Sequence, residues 1–82
     1  MCEQKIKQDG LINIGANIRF VRKEQGLGQT ELVSLLHLAG IDITRETLVK
    51  IERGIQHIQA SQLKGIRDAL NTTYDDLLKN NK

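Results

Sequence analysis

Residues 29–54 read QTELVSLLHLAGIDITRETLVKIERG, and two helical patterns share this stretch. The first predicts a helix from Gln29 to Leu38. Its apolar positions Leu32, Leu35, Leu36 and Ala39 fall at i, i+3, i+4 and i+7, the stripe of an amphipathic helix. Gly40 breaks it, and Ile41-Asp42-Ile43 forms a short connector. Thr44 has the side chain of an N-cap, so a second helix is expected from Arg45 to about Arg53. Only Leu48 and Ile51 are apolar at helical spacing there, with Val49 beside them. So narrow a stripe leaves a wide polar face to solvent or to a partner. Gly54 then suits the left-handed position that ends a helix.

The same reading extends outward. Upstream, Ile14, Ile18 and Val21 repeat with Arg19, Arg22 and Lys23 between them. They predict a helix capped by Asn13 and stopped at Gly26. Downstream, residues 55–60 read as a loop whose apolar points are Ile55 and Ile58. A fourth helix is expected from Ala60 to Leu70, with Leu63, Ile66, Ala69 and Leu70 inward, and Asn71 can take the left-handed position after it. Thr73 caps a short fifth helix, Tyr74 to Lys79, with Asp76 completing an Asp form of the capping box. Five short helices without a strand pattern predict an all-α domain. The expected organisation is a flexible N-terminal arm over 1–13, one domain over 14–79 and a tail over 80–82.

Composition narrows the chemistry. A chain of 82 residues supports one domain. A domain of this size buries only about 60–65% of its unfolded surface, which leaves little stability to spare. Twelve Lys and Arg stand against ten Asp and Glu, with no polybasic or acidic tail. No apolar run is long enough for a membrane span, and the polar N-terminus has no signal-peptide core. Cys2 stands alone, which excludes an internal disulfide and a CxxC site. A cytoplasmic location is the simplest expectation. His37 and His57 lack partners at metal-ligand spacing and read as solvated surface residues, and GxSxG, P-loop and GxGxxG motifs are absent. One Phe, one Tyr and no Trp argue against stacking platforms for single-stranded nucleic acid. No catalytic residue, metal, cofactor, membrane contact or small-molecule ligand is expected.

Five segments in order carry a resemblance. They are Ile14-Gly15-x-x-Ile18-Arg19-x-x-Arg22, Gly26-Leu27-x-Gln29-x-Glu31-Leu32, Thr47-Leu48-x-Lys50-Ile51-Glu52-x-Gly54, Leu63-x-x-Ile66-x-x-Ala69-Leu70 and Asp75-x-Leu77-Leu78. Together they resemble the Cro and phage-repressor (XRE-like) type of helix-turn-helix protein, over Ile14 to Leu78. The resemblance implies a compact five-helix, lambda-repressor-like domain whose third helix enters the major groove of double-stranded DNA. It also implies a homodimer on a pseudo-palindromic operator, with half-sites about one helical turn apart, acting as a transcriptional repressor. The dimer contact is expected at Tyr74, Leu77 and Leu78. A DNA-binding antitoxin, a restriction-control protein, or a helix-turn-helix scaffold reused for protein contact are the alternatives. Exposed Ile55 and Ile58 would suit the last.

By the same resemblance Thr44, Arg45, Glu46 and Lys50 read bases, while Gln29, Thr47, Arg22 and His57 meet phosphates. Arg pairs with two acceptors of guanine, and Glu accepts from cytosine N4. Each has a plainer role beside it. Thr44 serves as an N-cap or meets a thymine methyl, and Glu46 pairs with Lys50 along the helix or reads a base. Arg22 and Glu52 are expected to form a partly buried ion pair, with structure as the first role of Arg22. Three departures from the pattern stand out. The stretch from Leu36 to Thr44 exceeds the usual turn. The loop after Gly54 lacks added basic residues. Arg67 stands where the pattern has a small apolar residue, and Gly65 sits mid-helix at a cost of about 1 kcal/mol relative to Ala. Between residues 14 and 59, six basic residues face five acidic ones, so nonspecific attraction to phosphate should be modest.

Overall fold

The structure is a computed structural model that describes the backbone of residues 5–6 and, in full, residues 13–79. Cys2 and the tail over 80–82 lie outside the described residues, as does most of the expected arm over 1–13. Five helices follow one another: α1 (Ile14–Glu24), α2 (Gln29–Leu38), α3 (Arg45–Glu52), α4 (Ala60–Ala69) and α5 (Tyr74–Leu78). The all-α expectation holds, and α1, α3 and α5 start directly after the caps predicted for them. Asn13 accepts from the Ala16 N–H, Thr44 from Thr47 and Thr73 from Asp76. Each cap satisfies one of the backbone donors that a helix start leaves open. Gly54 (φ +77°) and Asn71 (φ +51°) take the left-handed positions predicted for them.

One feature was not legible as a strand. Lys5–Ile6 (β1) pairs antiparallel with Ile58–Gln59 (β2), Lys5 opposite Gln59 and Ile6 opposite Ile58. Ile58 is fully buried in the core, which corrects the reading of it as an exposed loop residue; Ile55 does stay exposed. A two-residue pairing has too little alternation to show as a pattern.

A single core binds the helices. It holds Ile14, Ile18, Leu32, Val33, Leu36, Ile43, Leu48, Ile51, Ile58, Leu63, Ile66, Leu70 and Leu77. α1 packs on α3 and α5, and α2 packs on α3 and α4. Because α2 touches two helices, its buried arc is centred on Leu32, Leu36 and Val33. Leu35 falls at the margin and is 38% exposed, and Ala39 is exposed, so the predicted stripe was out of phase by part of a turn. Leu77 is fully buried, so it cannot serve the dimer contact expected of it; Tyr74 and Leu78 keep part of their surface open.

Two polar side chains tie the helices where apolar area is short. Asn17 is buried, and its amide donates to the carbonyls of Leu77 (2.8 Å) and Lys79 (3.2 Å), capturing the end of α5. Gln25 donates from its amide to the Leu70 carbonyl. Gly65 explains itself in this frame. A Cβ there would stand 2.8 Å from Ile41 Cγ1 and 3.3 Å from Leu36 Cδ2. The missing side chain lets α4 close on the long connector, and that contact offsets the helix-propensity cost.

Candidate nucleic-acid interface

α3 is held by its inner face and its end. Leu48 and Ile51 are fully buried. Gly15 of α1 lies directly against the Ile51 carbonyl: a Cβ would fall 1.9 Å from that oxygen. The expected ion pair is present and forked. Arg22 Nε donates to Glu52 Oε2 at 2.8 Å and Nη2 to Oε1 at 2.9 Å, while Nη1 donates to the Leu27 carbonyl at 2.8 Å. Gln29 Nε2 adds a bond of 3.1 Å to Glu52 Oε1. One carboxylate therefore joins α1, α2 and α3, and its charge is met inside the domain. Such a pair is weak evidence for stability but fixes relative orientation.

His37 is exposed, as expected, and also bonds to the backbone just before the N-terminal end of α3. His37 Nε2 lies 2.6 Å from the Ile43 carbonyl, one residue before the Thr44 cap. A carbonyl only accepts, so Nε2 carries the proton in this bond. The ring spans the long connector and sets the point from which α3 departs. No pattern announces such a bond, because it depends on the course of the connector.

The outer face of α3 is open. Thr44, Arg45, Glu46 and Lys50 are exposed, and Thr47 is half-buried. Glu46 and Lys50 form no ion pair among the described residues. The four residues read from the sequence as base-facing thus share one uncovered end and flank of one helix. Thr44 also spends its hydroxyl on the cap, with a further bond of 3.0 Å to Thr47 Oγ1. Thr44→Ala should therefore lower stability by about 1 kcal/mol, whereas Thr44→Ser should keep it. Urea unfolding of the two variants checks this.

The residues read as phosphate-facing divide. Gln29 is half-buried at the first turn of α2, near the open face. His57 is exposed in the loop before β2, in a recess with Ile55, Gln56, Gln59 and Gln62. Arg22 is 6% exposed and all three of its nitrogens are engaged, which places it in the frame of the domain. Two cations to which the sequence reading gave no DNA contact also reach this region. Arg19 and Arg53, with Gln29, Val49 and Glu52, line one open recess beside α3. Spacing within one segment does not reveal them, because α1 and the end of α3 meet only in the fold. Among the described residues no group of His, Cys, Asp and Glu could hold a metal ion, and no helix is long and apolar enough to cross a membrane.

Among the solved structures that this chain is similar to are the following two. The restriction-modification controller protein C.AhdI from Aeromonas hydrophila superposes with a TM-score of 0.69 at 26% identity, over 80% of this chain and 92% of that one. A hypothetical transcription factor from Neisseria, NHTF, gives a TM-score of 0.70 at 22% identity, over 95% of this chain and 92% of that one. No family model matches the sequence. No curated protein matches it either.

Proposed function

We propose that this chain, a helix-turn-helix domain of the Cro and phage-repressor type, is a sequence-specific regulator that binds double-stranded DNA. The observation that carries the reading is the uncovered polar flank of α3 beginning at Arg45, on a helix otherwise fixed from within. A helix fits the major groove, which is about 12 Å wide. Residues at its N-terminal end then meet base edges while the preceding helix crosses the backbone. Thr44, Arg45, Glu46 and Lys50 are the base-facing residues of this reading. Gln29, Thr47 and His57 face the backbone, and Arg22 acts by holding Glu52.

The chain acts as a homodimer on a pseudo-palindromic site, in the cytoplasm where prokaryotic or phage DNA is found. It represses by occupying promoter DNA. It performs no catalysis. The likeness to a restriction-modification controller favours a second reading, control of a restriction-modification operon, which uses the same contacts. The reading as a scaffold for protein contact loses ground, because Ile58 lies in the core.

Selection of binding sites from a pool of random duplexes tests the proposal. A recovered consensus with two related half-sites is expected, and a pool that stays random after several rounds would sink it. On the recovered site, Arg45→Ala should weaken binding by roughly 1–3 kcal/mol and relax the preference at a single base pair. An equal loss on every sequence would instead make Arg45 a backbone contact.

A further inference from the structure

We infer that Arg19 and Arg53 form a binding site for one backbone phosphate of the duplex, at the flank of the groove that α3 enters. The inference rests on the DNA-binding reading and gives a shared role to Arg19, to which the sequence reading assigned no DNA contact, and to Arg53, which the motif leaves open. Both guanidinium groups are exposed, and among the described residues neither has an acidic partner. They come from different helices, Arg19 from α1 and Arg53 from the residue that ends α3, and meet at one recess.

The electrostatics of that recess follow from the bonds around it. Glu52 also lines it, but its side chain is only 2% exposed and its carboxylate is taken by Arg22 and Gln29. The acidic residue is thus neutralised from inside, and the solvent side keeps the two arginines. Gln29, the first residue of α2, brings a helix N-terminus to the same place, which adds partial positive charge. Lys23 lines an adjoining recess that shares Arg19 and Glu52, where the exposed Glu24 offsets its charge.

A duplex phosphate is the fitting occupant for a geometric reason. Val49 and Arg53 belong to the same segment as the base-facing residues, so a groove that receives α3 brings its phosphate ridge alongside. A planar guanidinium gives a phosphate two parallel donors. The domain also needs such a place. Its central segment is close to neutral, so backbone attraction must come from a few concentrated cations rather than a general field.

Fluorescence anisotropy on the full chain tests this, with a selected duplex and a scrambled one of equal length across a sodium chloride series. Arg19→Gln and Arg53→Gln combined should make the slope of log K against log salt shallower by about one, on both duplexes, and each single variant should account for part of that change. The preference between duplexes should stay within about twofold, since a phosphate contact carries no sequence information. Lys64→Gln, an exposed charge on α4, should leave the slope unchanged, and the arginine variants should unfold at the parent's urea midpoint. Unchanged slopes in the arginine variants would overturn the inference. So would a collapse of duplex preference, which would mean base contact, or an equal effect of Lys64→Gln, which would mean a diffuse field. If the unmodified chain bound neither duplex, the DNA reading itself would fall and the recess with it.

Discussion

Gly15→Ala should destabilise the domain by roughly 3 kcal/mol or more, the high end for overpacking a closed contact. The added methyl would sit 1.9 Å from the Ile51 carbonyl oxygen, and that oxygen belongs to backbone. A flexible side chain could rotate away, but here α1 and α3 must separate. Separation opens the layer formed by Ile14, Ile18, Leu48 and Ile51. It also strains the Arg22–Glu52 fork that spans the same two helices. The helix-propensity gain of Ala over Gly, about 1 kcal/mol, runs the other way and is smaller. Against a total stability of about 5–15 kcal/mol this is a large share. Urea unfolding should show the loss as a lower midpoint at an unchanged slope. A midpoint within about 0.5 kcal/mol of the parent's would contradict the close approach of the two helices.

Removing one member of the buried ion pair should have an effect of similar size. Glu52→Leu leaves the Arg22 guanidinium almost enclosed with only the Leu27 carbonyl for a partner, and deprives Gln29 of its acceptor. A loss of about 3–5 kcal/mol is expected, most of it the cost of an unpaired buried charge. Arg22→Met combined with Glu52→Leu should recover most of that loss, because an apolar pair of similar volume carries no desolvation penalty. The double variant should nevertheless bind DNA less well than its stability suggests, since the fork orients α3. A double variant as unstable as the single one would mean that the pair contributes more than its own desolvation.

The helix boundaries were legible because their causes are local. Asn13, Thr44 and Thr73 cap through bonds to residues three positions on, so each N-terminus is written within a few letters. Gly54 and Asn71 mark helix ends for the same reason, through backbone conformation at one residue. The fork between Arg22 and Glu52 was expected from the resemblance and from nothing shorter in range.

What escaped sequence reading depends on how elements meet. The arc of α2 turned because it faces two helices, which drew Val33 inward and left Leu35 at the edge. Leu77 and Leu78 are equivalent as letters, and only the approach of α1 decides that Leu77 is the buried one. The burial of Ile58 depends on how the segment before α4 meets the core, which a lone apolar letter in a loop does not show. The candidate site divides in the same way. The open flank from Thr44 to Lys50 belongs to one helix and could be read from its narrow apolar stripe. The recess of Arg19 and Arg53, and the bond from His37 to Ile43, exist only once the connector and α1 are in place.

The Asn17 amide has a consequence for the far end of the chain. A five-residue helix cannot sustain itself in water. α5 keeps its shape through the Thr73 cap, the burial of Leu77 and two bonds from one side chain. Local opening of so short a segment is expected to cost less than unfolding of the whole domain. Should two chains meet through the open surface of Tyr74 and Leu78, freezing of that last turn and pairing become a single event. Protein concentration would then govern both, and a dilute cell would hold subunits whose final turn is still in flux.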